Sequence, residues 1–415
     1  MHRDTKIAVI GGGASGLSAA YLLVKAGYRS VTVLEKDSRV GGKCKTVFID
    51  SRSYELGGIL HLRGMEPISG FIRELGIETM PGTVIPPPPP APSPLFDMDR
   101  LIHIGYPRKL QAWIAAIRFT AMELRNPSLC CPGHENMPAD LTVPLSEWLK
   151  ANRLTALEPL FACWMSGFGY GYTDNIPAAY ALKFCSPAMI WKTMAGGLRG
   201  FTRGYQEVWD RVAPYLDVRL SHSVRRIIRR DNVVIETDSG NFVFDKVILG
   251  CDLRAIAPAL DQDEEESELI RKIRSHRYHV VLAETEKMPS RVAFLYGHFS
   301  HRLQGAAVCW YHRWADRNLY NFYAIAPDEM STAEVHARIR ASLSGLGATI
   351  GKVISSENWS YFPRVSSHDL TAGFYRRLEA RQGQRHTYYA GEIMHFPSVD
   401  LLAGYSAHLV RRHFA

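Results

Sequence analysis

Short apolar runs separated by polar turns dominate the start of the chain. Residues 6–10 (Lys-Ile-Ala-Val-Ile) and 31–34 (Val-Thr-Val-Leu) have the length and composition of strands buried in a parallel sheet. Between them, residues 17–23 are rich in leucine and alanine, which is typical of a helix. The order strand, helix, strand predicts a βαβ unit whose two strands belong to one sheet.

Glycines occupy the turn between the first strand and the helix, with the spacing Gly-x-Gly-x-x-Gly. The candidate binding residues of this turn are Gly11, Gly13, Ala14, Ser15 and Gly16. In this context the spacing predicts a dinucleotide site: the first glycine permits the tight turn, the second admits a pyrophosphate, and the third lets helix and strand pack closely. Glu35 follows the second strand, 19 residues after Gly16, where a carboxylate can bind an adenosine ribose.

The middle of the chain changes character twice. Five consecutive prolines at 86–90 predict a stiff connector over residues 81–95, with a ligand for an SH3-type module as the alternative. Residues 108–125 have the apolar spacing of an amphipathic helix, which either packs on the protein as a cap or lies on a membrane surface. Residues 155–195 are rich in aromatic residues, Met and Ala, so we predict a mainly helical block over 96–195.

Strand patterns return in the second half of the chain. Residues 224–228, 233–237 and 242–249 predict a meander, because turn residues separate them. Strands also predominate over residues 278–362, interrupted by a helix near 332–345, which predicts a second sheet. We therefore predict an α/β fold with one discontinuous domain over residues 1–80, 196–260 and 376–415, a helical cap over 96–195, and a sheet-rich substrate domain over 261–375.

Composition and charge narrow the possible functions. Of the 415 residues, 46% are hydrophobic and 22% are charged, which is typical of a globular protein with several domains. The chain lacks a run of 18 apolar residues and a signal-peptide core, so we predict a cytoplasmic protein without stable membrane insertion. The net charge of +8 is spread along the chain without a nucleic-acid-binding module, and the seven cysteines without a Cys-x-x-Cys pair argue against disulfides and a metal site.

Three short motifs resemble the signatures of the flavin-containing amine oxidase superfamily. They are the glycine turn with its following acid, a Gly-Gly pair at 41–42 flanked by basic residues, and Ala-Gly-Glu at 390–392 followed by a helix. The resemblance implies that the dinucleotide is FAD and not NAD. Beyond the glycine turn, the FAD contacts that it implies come from Glu35, Lys36, Arg39, Gly41, Gly42, Lys43, Gly57, Gly58, Val224, Gly391, Glu392 and Val399.

Longer segments resemble one branch of this superfamily more closely. Residues 168–180, 311–316 and 359–394 are similar to bacterial polyunsaturated fatty acid double-bond isomerases. The resemblance implies a discontinuous Rossmann-like FAD-binding domain, a mixed-sheet substrate domain and a helical cap. It also implies a redox-neutral reaction in which hydride moves from the methylene between two double bonds to flavin N5 and returns to a terminal carbon, giving a conjugated product. Because the flavin carries this chemistry, we expect no catalytic acid, base or metal.

The reaction that this resemblance implies passes through a delocalised carbocation. Aromatic ring faces attract positive charge, so we predict an aromatic pocket for a small apolar polyene. Ordinary core packing is the alternative for each candidate residue. The candidates, which include one methionine, are Phe168, Tyr170, Tyr172, Met194, Trp310, Tyr311 and Phe396.

The chain departs from the isomerases at two places. Those enzymes have an arginine and a phenylalanine where this chain has Ser93 and Thr193, and Arg100 and Arg199 are candidate replacements for binding a carboxylate. The expected substrate is therefore a polyunsaturated fatty acid or a related polyene. The alternatives are an FAD-dependent oxidoreductase, such as an oxidase, desaturase or amine oxidase, and a protein that binds FAD without catalysis. The sequence leaves the oligomeric state open.

Overall fold

A computed structural model describes residues 2–82, 106–129, 131–289 and 291–415. The five prolines of the predicted connector lie outside these ranges, as do Ser93 and Arg100. Within the described ranges, no helix is both long enough and apolar enough to cross a membrane.

The described chain contains both strands and helices. The strands, in chain order, are β1 (Ile7–Ile10), β2 (Val31–Leu34), β3 (Thr46–Ile49), β4 (Arg52–Glu55), β5 (His61–Leu62), β6 (Thr79–Pro81), β7 (Leu198–Phe201), β8 (Asp217–Arg219), β9 (Val224–Arg229), β10 (Val233–Thr237), β11 (Gly240–Phe244), β12 (Lys246–Leu249), β13 (Arg274–Glu286), β14 (Val292–Phe294), β15 (Ala307–Tyr311), β16 (Leu319–Ala326), β17 (Thr349–Arg364) and β18 (Thr387–Tyr389). The helices are α1 (Ala14–Lys25), α2 (Ile68–Glu74), α3 (Tyr106–Arg125), α4 (Leu145–Ala151), α5 (Glu158–Gly167), α6 (Ala178–Phe184), α7 (Pro187–Met194), α8 (Gln206–Val212), α9 (Leu253–Ile256), α10 (Glu264–Lys272), α11 (Thr332–Ser344), α12 (Ser367–Thr371), α13 (Phe374–Ala380) and α14 (Val399–His413).

Five short parallel strands form the sheet that the sequence predicts around the glycine turn. Their order is β18-β12-β1-β2-β8, and β1 pairs in parallel with both β2 and β12. Every residue of β1 is buried, because alternate side chains enter two different cores. Ile7 and Val9 pack in the same core as residues of α1 and α14, whereas Ala8 and Ile10 face the other core. The sheet is assembled from three widely separated stretches of chain.

The predicted meander is present, but its last strand is divided. β9, β10 and β11 form a small antiparallel sheet, and the chain then turns at Asp245 so that β12 joins the parallel sheet. The Asp245 N–H donates to the Lys6 carbonyl at 2.9 Å, and its carboxylate accepts from the Lys6 N–H at 2.7 Å. The single strand predicted over 242–249 was wrong, because two apolar runs follow each other closely and only Asp245 and Lys246 mark the turn between them.

The sheet predicted for the second half of the chain has five strands in the order β14-β15-β16-β13-β17. We predicted a mixed sheet, but every described pair in it is antiparallel. Strands β14, β15 and β16 follow one another as hairpins, and the chain then crosses through α11 to β17 with β13 between them, so no two neighbouring strands are parallel. The predicted helix is α11, and it packs on one face of this sheet through Val335, Ile339 and Leu343.

The predicted helical block contains α3 to α7. Helix α3 is fixed to the others by its buried side, where the Phe119 ring lies 6.1 Å from the rings of both Trp148 and Phe161. Ala115 and Ala116 are buried beside it. The predicted amphipathic helix is therefore packed on the protein along one side.

A buried arginine joins the meander to the edge of the parallel sheet. The Arg229 guanidinium is fully buried and pairs with Glu266 at 2.6 Å and with Asp261 at 2.7 Å. It also donates to the hydroxyl of Thr387 in β18 at 3.2 Å, and the Tyr389 hydroxyl donates to Glu266 at 2.6 Å. These paired charges fix β9, α10 and β18 relative to one another, and removing one partner would leave a buried charge uncompensated.

Candidate active site

A cavity of about 540 Å³ opens at the carboxyl ends of β1, β2 and β12. Ligands of parallel α/β sheets bind at this edge, because the loops and helix N-termini converge there. Main-chain atoms of the turn after β1 and of residues 41–44 line one end of the cavity. Aromatic side chains from α6, β13 and β17 line the other end. The two ends therefore offer different chemistry to a ligand.

The glycine turn forms the floor of the first end. Gly11, Gly13, Ala14 and Ser15 line the cavity, and Gly11 adopts a φ of +102° that favours glycine. A Cβ atom added to Gly13 would meet no atom closer than 3.9 Å, so the space beside it remains open. Gly16 lies behind the turn, where an added Cβ would come within 2.0 Å of the Gly11 carbonyl oxygen.

Glu35 points its carboxylate at this turn. The residue is buried, and its carboxylate has two main-chain partners. One oxygen accepts the Gly12 N–H at 2.5 Å and the other accepts the Asp37 N–H at 2.9 Å. A carboxylate has further lone pairs on each oxygen, so it can also accept hydroxyl donors from a ligand. Lys36 follows it and lines the same cavity. This arrangement suits a ribose at the end of a dinucleotide.

The Gly-Gly pair lies directly against the glycine turn. A Cβ added to Gly42 would meet the Gly13 Cα at 3.1 Å, and the pair has positive φ angles of +99° and +53°. Arg39 does not line the cavity; its guanidinium donates to the carbonyls of Gly42 at 2.6 Å and Val40 at 3.0 Å. It therefore fixes the shape of the loop from outside. Gly41 and Lys43 line the cavity, as do Gly57 and Gly58.

The last predicted cofactor residues come from the end of the chain. Lys43 donates to both oxygens of Glu392 at 2.6 Å, and burial raises the pKa of this glutamate while the lysine opposes the rise. Gly391 packs on Cys251, whose carbonyl oxygen would lie 2.4 Å from an added Cβ. Val399 begins α14 and lines the cavity, so the positive end of this helix faces it.

Val224 lies apart from the cavity lining. It begins β9, two residues beyond His222, whose N–H donates to the Glu35 carbonyl at 2.8 Å. The segment that carries Val224 is therefore attached to the end of β2.

The nucleotide end of the cavity fits a dinucleotide. Its glycines expose main-chain atoms without side chains, its buried carboxylate faces the turn, and two helix N-termini point into it. Each of these features complements a pyrophosphate or a ribose. The glycine cradle is thus formed by the fold itself.

The aromatic end contains two of the predicted substrate residues and four that the sequence did not single out. Phe168 and Tyr170 line the cavity. The Tyr361 ring stacks on the rings of Tyr170 at 5.5 Å and Tyr278 at 5.2 Å. The further aromatic residues of the lining are Phe184, Tyr278, Trp359 and Tyr361. Trp359 and Tyr361 lie inside the segment 359–394, so the similarity of that segment to the isomerases could have identified them.

The other predicted substrate residues lie outside the lining. Phe396 is fully buried behind it, with its ring 4.3 Å from Tyr170. Tyr172 and Tyr311 belong to the cluster that packs behind Tyr278, and Trp310 faces α11 on the opposite side of the sheet. Met194 is exposed at the end of α7.

Of the residues considered for binding a carboxylate, Thr193 and Arg199 lie within the described ranges. Thr193 has a hydroxyl without a hydrogen-bond partner in the described structure, and Arg199 donates to the Thr79 carbonyl at 3.3 Å. Lys183, which the sequence did not single out, lines the aromatic end of the cavity. Its ammonium donates to the carbonyls of Ser128 at 3.2 Å and Cys131 at 2.9 Å.

A buried polar network that the sequence did not reveal lies between the two ends. His61 Nδ1 is 2.6 Å from Asp400, and its Nε2 is 3.0 Å from the Ser69 hydroxyl. Asp400 also accepts the Leu62 N–H at 3.0 Å. His61 and Asp400 line the cavity. No local spacing could have connected these residues, because His61 and Asp400 are 339 positions apart.

A second buried histidine holds the loop that carries Phe168 and Tyr170. His276 Nε2 donates to the Gly169 carbonyl at 2.7 Å, and its Nδ1 accepts from Arg364 at 3.0 Å. This pattern requires a neutral imidazole. Burial, together with the Arg364 charge, lowers the pKa of His276 to about 3. The neutral histidine thus fixes the aromatic end.

Comparison with known families places this geometry in context. The sequence matches the profile of the family described as Flavin containing amine oxidoreductase over residues 14–399. A crystal structure of a CLA-producing fatty acid isomerase from P. acnes is similar over all of both chains, with a TM-score of 0.89 and 28% identity. A putrescine oxidase structure with bound putrescine shares the fold, with a TM-score of 0.69 and 17% identity over 99% of this chain and 98% of the other.

Two relatives are named for different kinds of reaction. The FAD-dependent oxidoreductase dpchF of Colletotrichum higginsianum is 24% identical over 94% of this chain and 89% of its own length. The polyenoic fatty acid isomerase of Ptilota filicina is 26% identical, over 45% of this chain and 42% of its own length.

Substituting Gly13→Ala should weaken flavin binding without weakening the fold. The backbone at Gly13 has a φ of −86° that alanine adopts freely, but the new methyl group would enter the cavity. We expect about a ten- to hundredfold loss of flavin affinity, since overfilling a packed contact costs about 1–3 kcal/mol. Flavin retention after dialysis and the unfolding midpoint of the apoprotein measure the two effects. Gly345→Ala, at an exposed glycine with no neighbour within 4 Å, is the control; a normal flavin content in Gly13→Ala would contradict the cradle.

Acid should destabilise the protein through His276. Its pKa of about 3 in the fold lies below its ordinary value of 6.5, so the unfolded chain binds more protons between these values. The stability that neutral His276 contributes is complete above pH 6.5 and is lost as the pH falls, by up to about 1.4 kcal/mol per pH unit. Urea unfolding between pH 7.5 and 5 should therefore show a shallower loss in His276→Gln than in the wild type. His368→Gln, at an exposed histidine, should follow the wild type. Parallel losses in all three proteins would contradict this account.

Proposed function

The chain belongs to the flavin containing amine oxidoreductase family, and within it we propose that the protein is an isomerase. It would move carbon–carbon double bonds in a polyunsaturated fatty acid or a related polyene. Its cofactor is FAD. The product of the proposed reaction is a conjugated polyene. The observation that carries the proposal is the likeness to a fatty acid isomerase over the whole chain at a TM-score of 0.89, against 0.69 for putrescine oxidase.

The aromatic end of the cavity supports an apolar substrate. Aromatic and aliphatic side chains line it, and two of the acids in the cavity lining already have partners. Glu392 is paired with Lys43, and Asp400 is bonded to His61. These two acids are therefore not free to pair with a cationic amine. A polyene requires no such partner.

We assign the two ends of the cavity different tasks in this reaction. At the nucleotide end, the glycine turn, the Gly-Gly pair and the N-terminus of α14 would hold the FAD phosphates and flavin, and Glu35 would hold the ribose. When bound, FAD would supply the hydride-transfer chemistry that such a double-bond shift requires. At the aromatic end, Phe168, Tyr170 and Tyr361 orient the polyene, exclude water and face any positive charge that develops on it.

An FAD-dependent oxidoreductase is the second candidate. The relative dpchF, which covers most of this chain, is named as one. The same fold supports both kinds of chemistry, so the fold itself does not distinguish them. The two functions differ in whether electrons leave the substrate.

Anaerobic turnover separates these functions. We expect the purified yellow protein to convert linoleic acid, or an ester or thioester of a related polyene, to a conjugated diene with no electron acceptor present. The ultraviolet absorbance of the diene and the visible absorbance of the flavin report on product and cofactor together. Lasting bleaching of the flavin without a conjugated product would instead support the oxidoreductase.

Tyr361 offers a test of the aromatic end. Substituting Tyr361→Leu should lower kcat about three- to thirtyfold, because an aromatic face contributes about 0.5–2 kcal/mol of attraction to a positive charge. Tyr361→Phe retains the ring and should keep most of the activity. Flavin content and circular dichroism of both variants should match the wild type. Equal activity in the leucine and phenylalanine variants would contradict a role for the ring face.

A further inference from the structure

Helix α3 carries a wide apolar surface that is exposed in the part of the chain that the structure describes. The solvent-exposed fractions of the large apolar residues on this surface range from 47% to 78%, and these residues recur at the spacing of one helix face. This apolar face of α3 consists of Leu110, Trp113, Ile114, Ile117 and Leu124. Patches of this kind on a folded protein mark sites that contact another molecule or a membrane.

The helix is firmly attached along its other side, so the exposure is not the result of a loose helix. Phe119 packs among buried aromatic rings, and Trp191 of α7 donates its indole N–H to the Thr120 hydroxyl at 2.9 Å. The Trp191 ring also lies 5.5 Å from that of Trp113. The apolar face is therefore held outward by the fold.

Positive charge borders the apolar face. Arg118 and Arg125 are both exposed, and at 100° per residue both fall on the same flank of the face. The one acid among the described side chains of α3, Glu123, falls on the far side of the helix. An apolar stripe with Trp, Leu and Ile beside arginines is the pattern of helices that lie in the interface of an anionic membrane.

The apolar face is also close to the cavity. Helix α7 packs beside α3, and Met189 and Ser186 at its start line the cavity. Lys192 of the same helix donates to the Gly64 carbonyl at 2.8 Å, and Met65 next to it lines the cavity as well. A partner in contact with the apolar face would therefore be separated from the aromatic end of the cavity by helix α7.

We propose that the apolar face of α3 docks the protein on a lipid bilayer with anionic headgroups, without insertion across it. The choice of a lipid surface rests in part on the proposed function, because long polyenes partition into membranes. The bordering arginines favour a negatively charged surface over a second copy of this chain, which carries the same positive charge there. Docking would place α7, and with it the aromatic end of the cavity, near the bilayer that holds the substrate.

Sedimentation with vesicles tests the proposal on the holoprotein. We expect the wild type to sediment with phosphatidylcholine vesicles that contain phosphatidylglycerol, and more weakly with phosphatidylcholine alone. The double variant Ile114→Ser/Ile117→Ser should bind at least about tenfold more weakly, because two large apolar side chains no longer enter the bilayer. Arg118→Gln/Arg125→Gln should lose the preference for the anionic vesicles. Phe48→Ser removes an equally exposed apolar side chain from β3 and should bind as the wild type does.

Three results would overturn the proposal. The first is a wild type that stays in the supernatant with both vesicles. The second is an Ile114→Ser/Ile117→Ser variant that binds as tightly as the wild type. The third is a wild-type dimer that this variant converts to a monomer without any vesicle binding, which would make the face an interface between copies. Vesicle binding is measured without substrate, so failure of the isomerase reaction leaves it unaffected. Turnover of dispersed linoleate by the variant, in turn, tests the reaction without the membrane.

Discussion

The close approach of three stretches of backbone is the constraint on which this structure depends. At the carboxyl end of β1, an added Cβ on Gly16 would lie 2.0 Å from the Gly11 carbonyl oxygen. An added Cβ on Gly250 would lie 2.8 Å from the Gly16 Cα, and one on Gly391 would lie 2.4 Å from the Cys251 carbonyl oxygen. Only residues without side chains allow β1, β12 and β18 to end together. The glycine turn, Gly250 and Glu392 line one cavity because these backbones converge.

The two ends of the cavity differ in how they can vary. The nucleotide end is built from main-chain atoms and one carboxylate, so its shape follows from the backbone path and tolerates few substitutions. The aromatic end is built from side chains on α6, β13 and β17, which belong to separate elements. Such side chains can change without disturbing the glycine contacts. The same fold occurs in a fatty acid isomerase and in a putrescine oxidase.

The sequence was most informative where a function depends on neighbouring residues. The glycine turn and Glu35 belong to one βαβ unit, and their placement follows from its local geometry. The contact of His61 with Asp400 could not be predicted, because folding alone brings the two positions together. Strand alternation also does not reveal which face of a sheet meets a cavity: Trp310 faces α11, and its neighbour Tyr311 packs behind Tyr278. The aromatic composition of the pocket was predictable, but its members were only partly so.

The discontinuous sheet also has a consequence for the order of events during synthesis. The βαβ unit with the glycine turn leaves the ribosome long before β18 and the start of α14. Until then, β12 lacks its outer neighbour and the positive end of α14 cannot face the cavity. Under the proposed assignment of the FAD contacts, stable capture of the cofactor has to wait for residues 387–402. A yellow, flavin-loaded molecule is one whose translation has already passed that point.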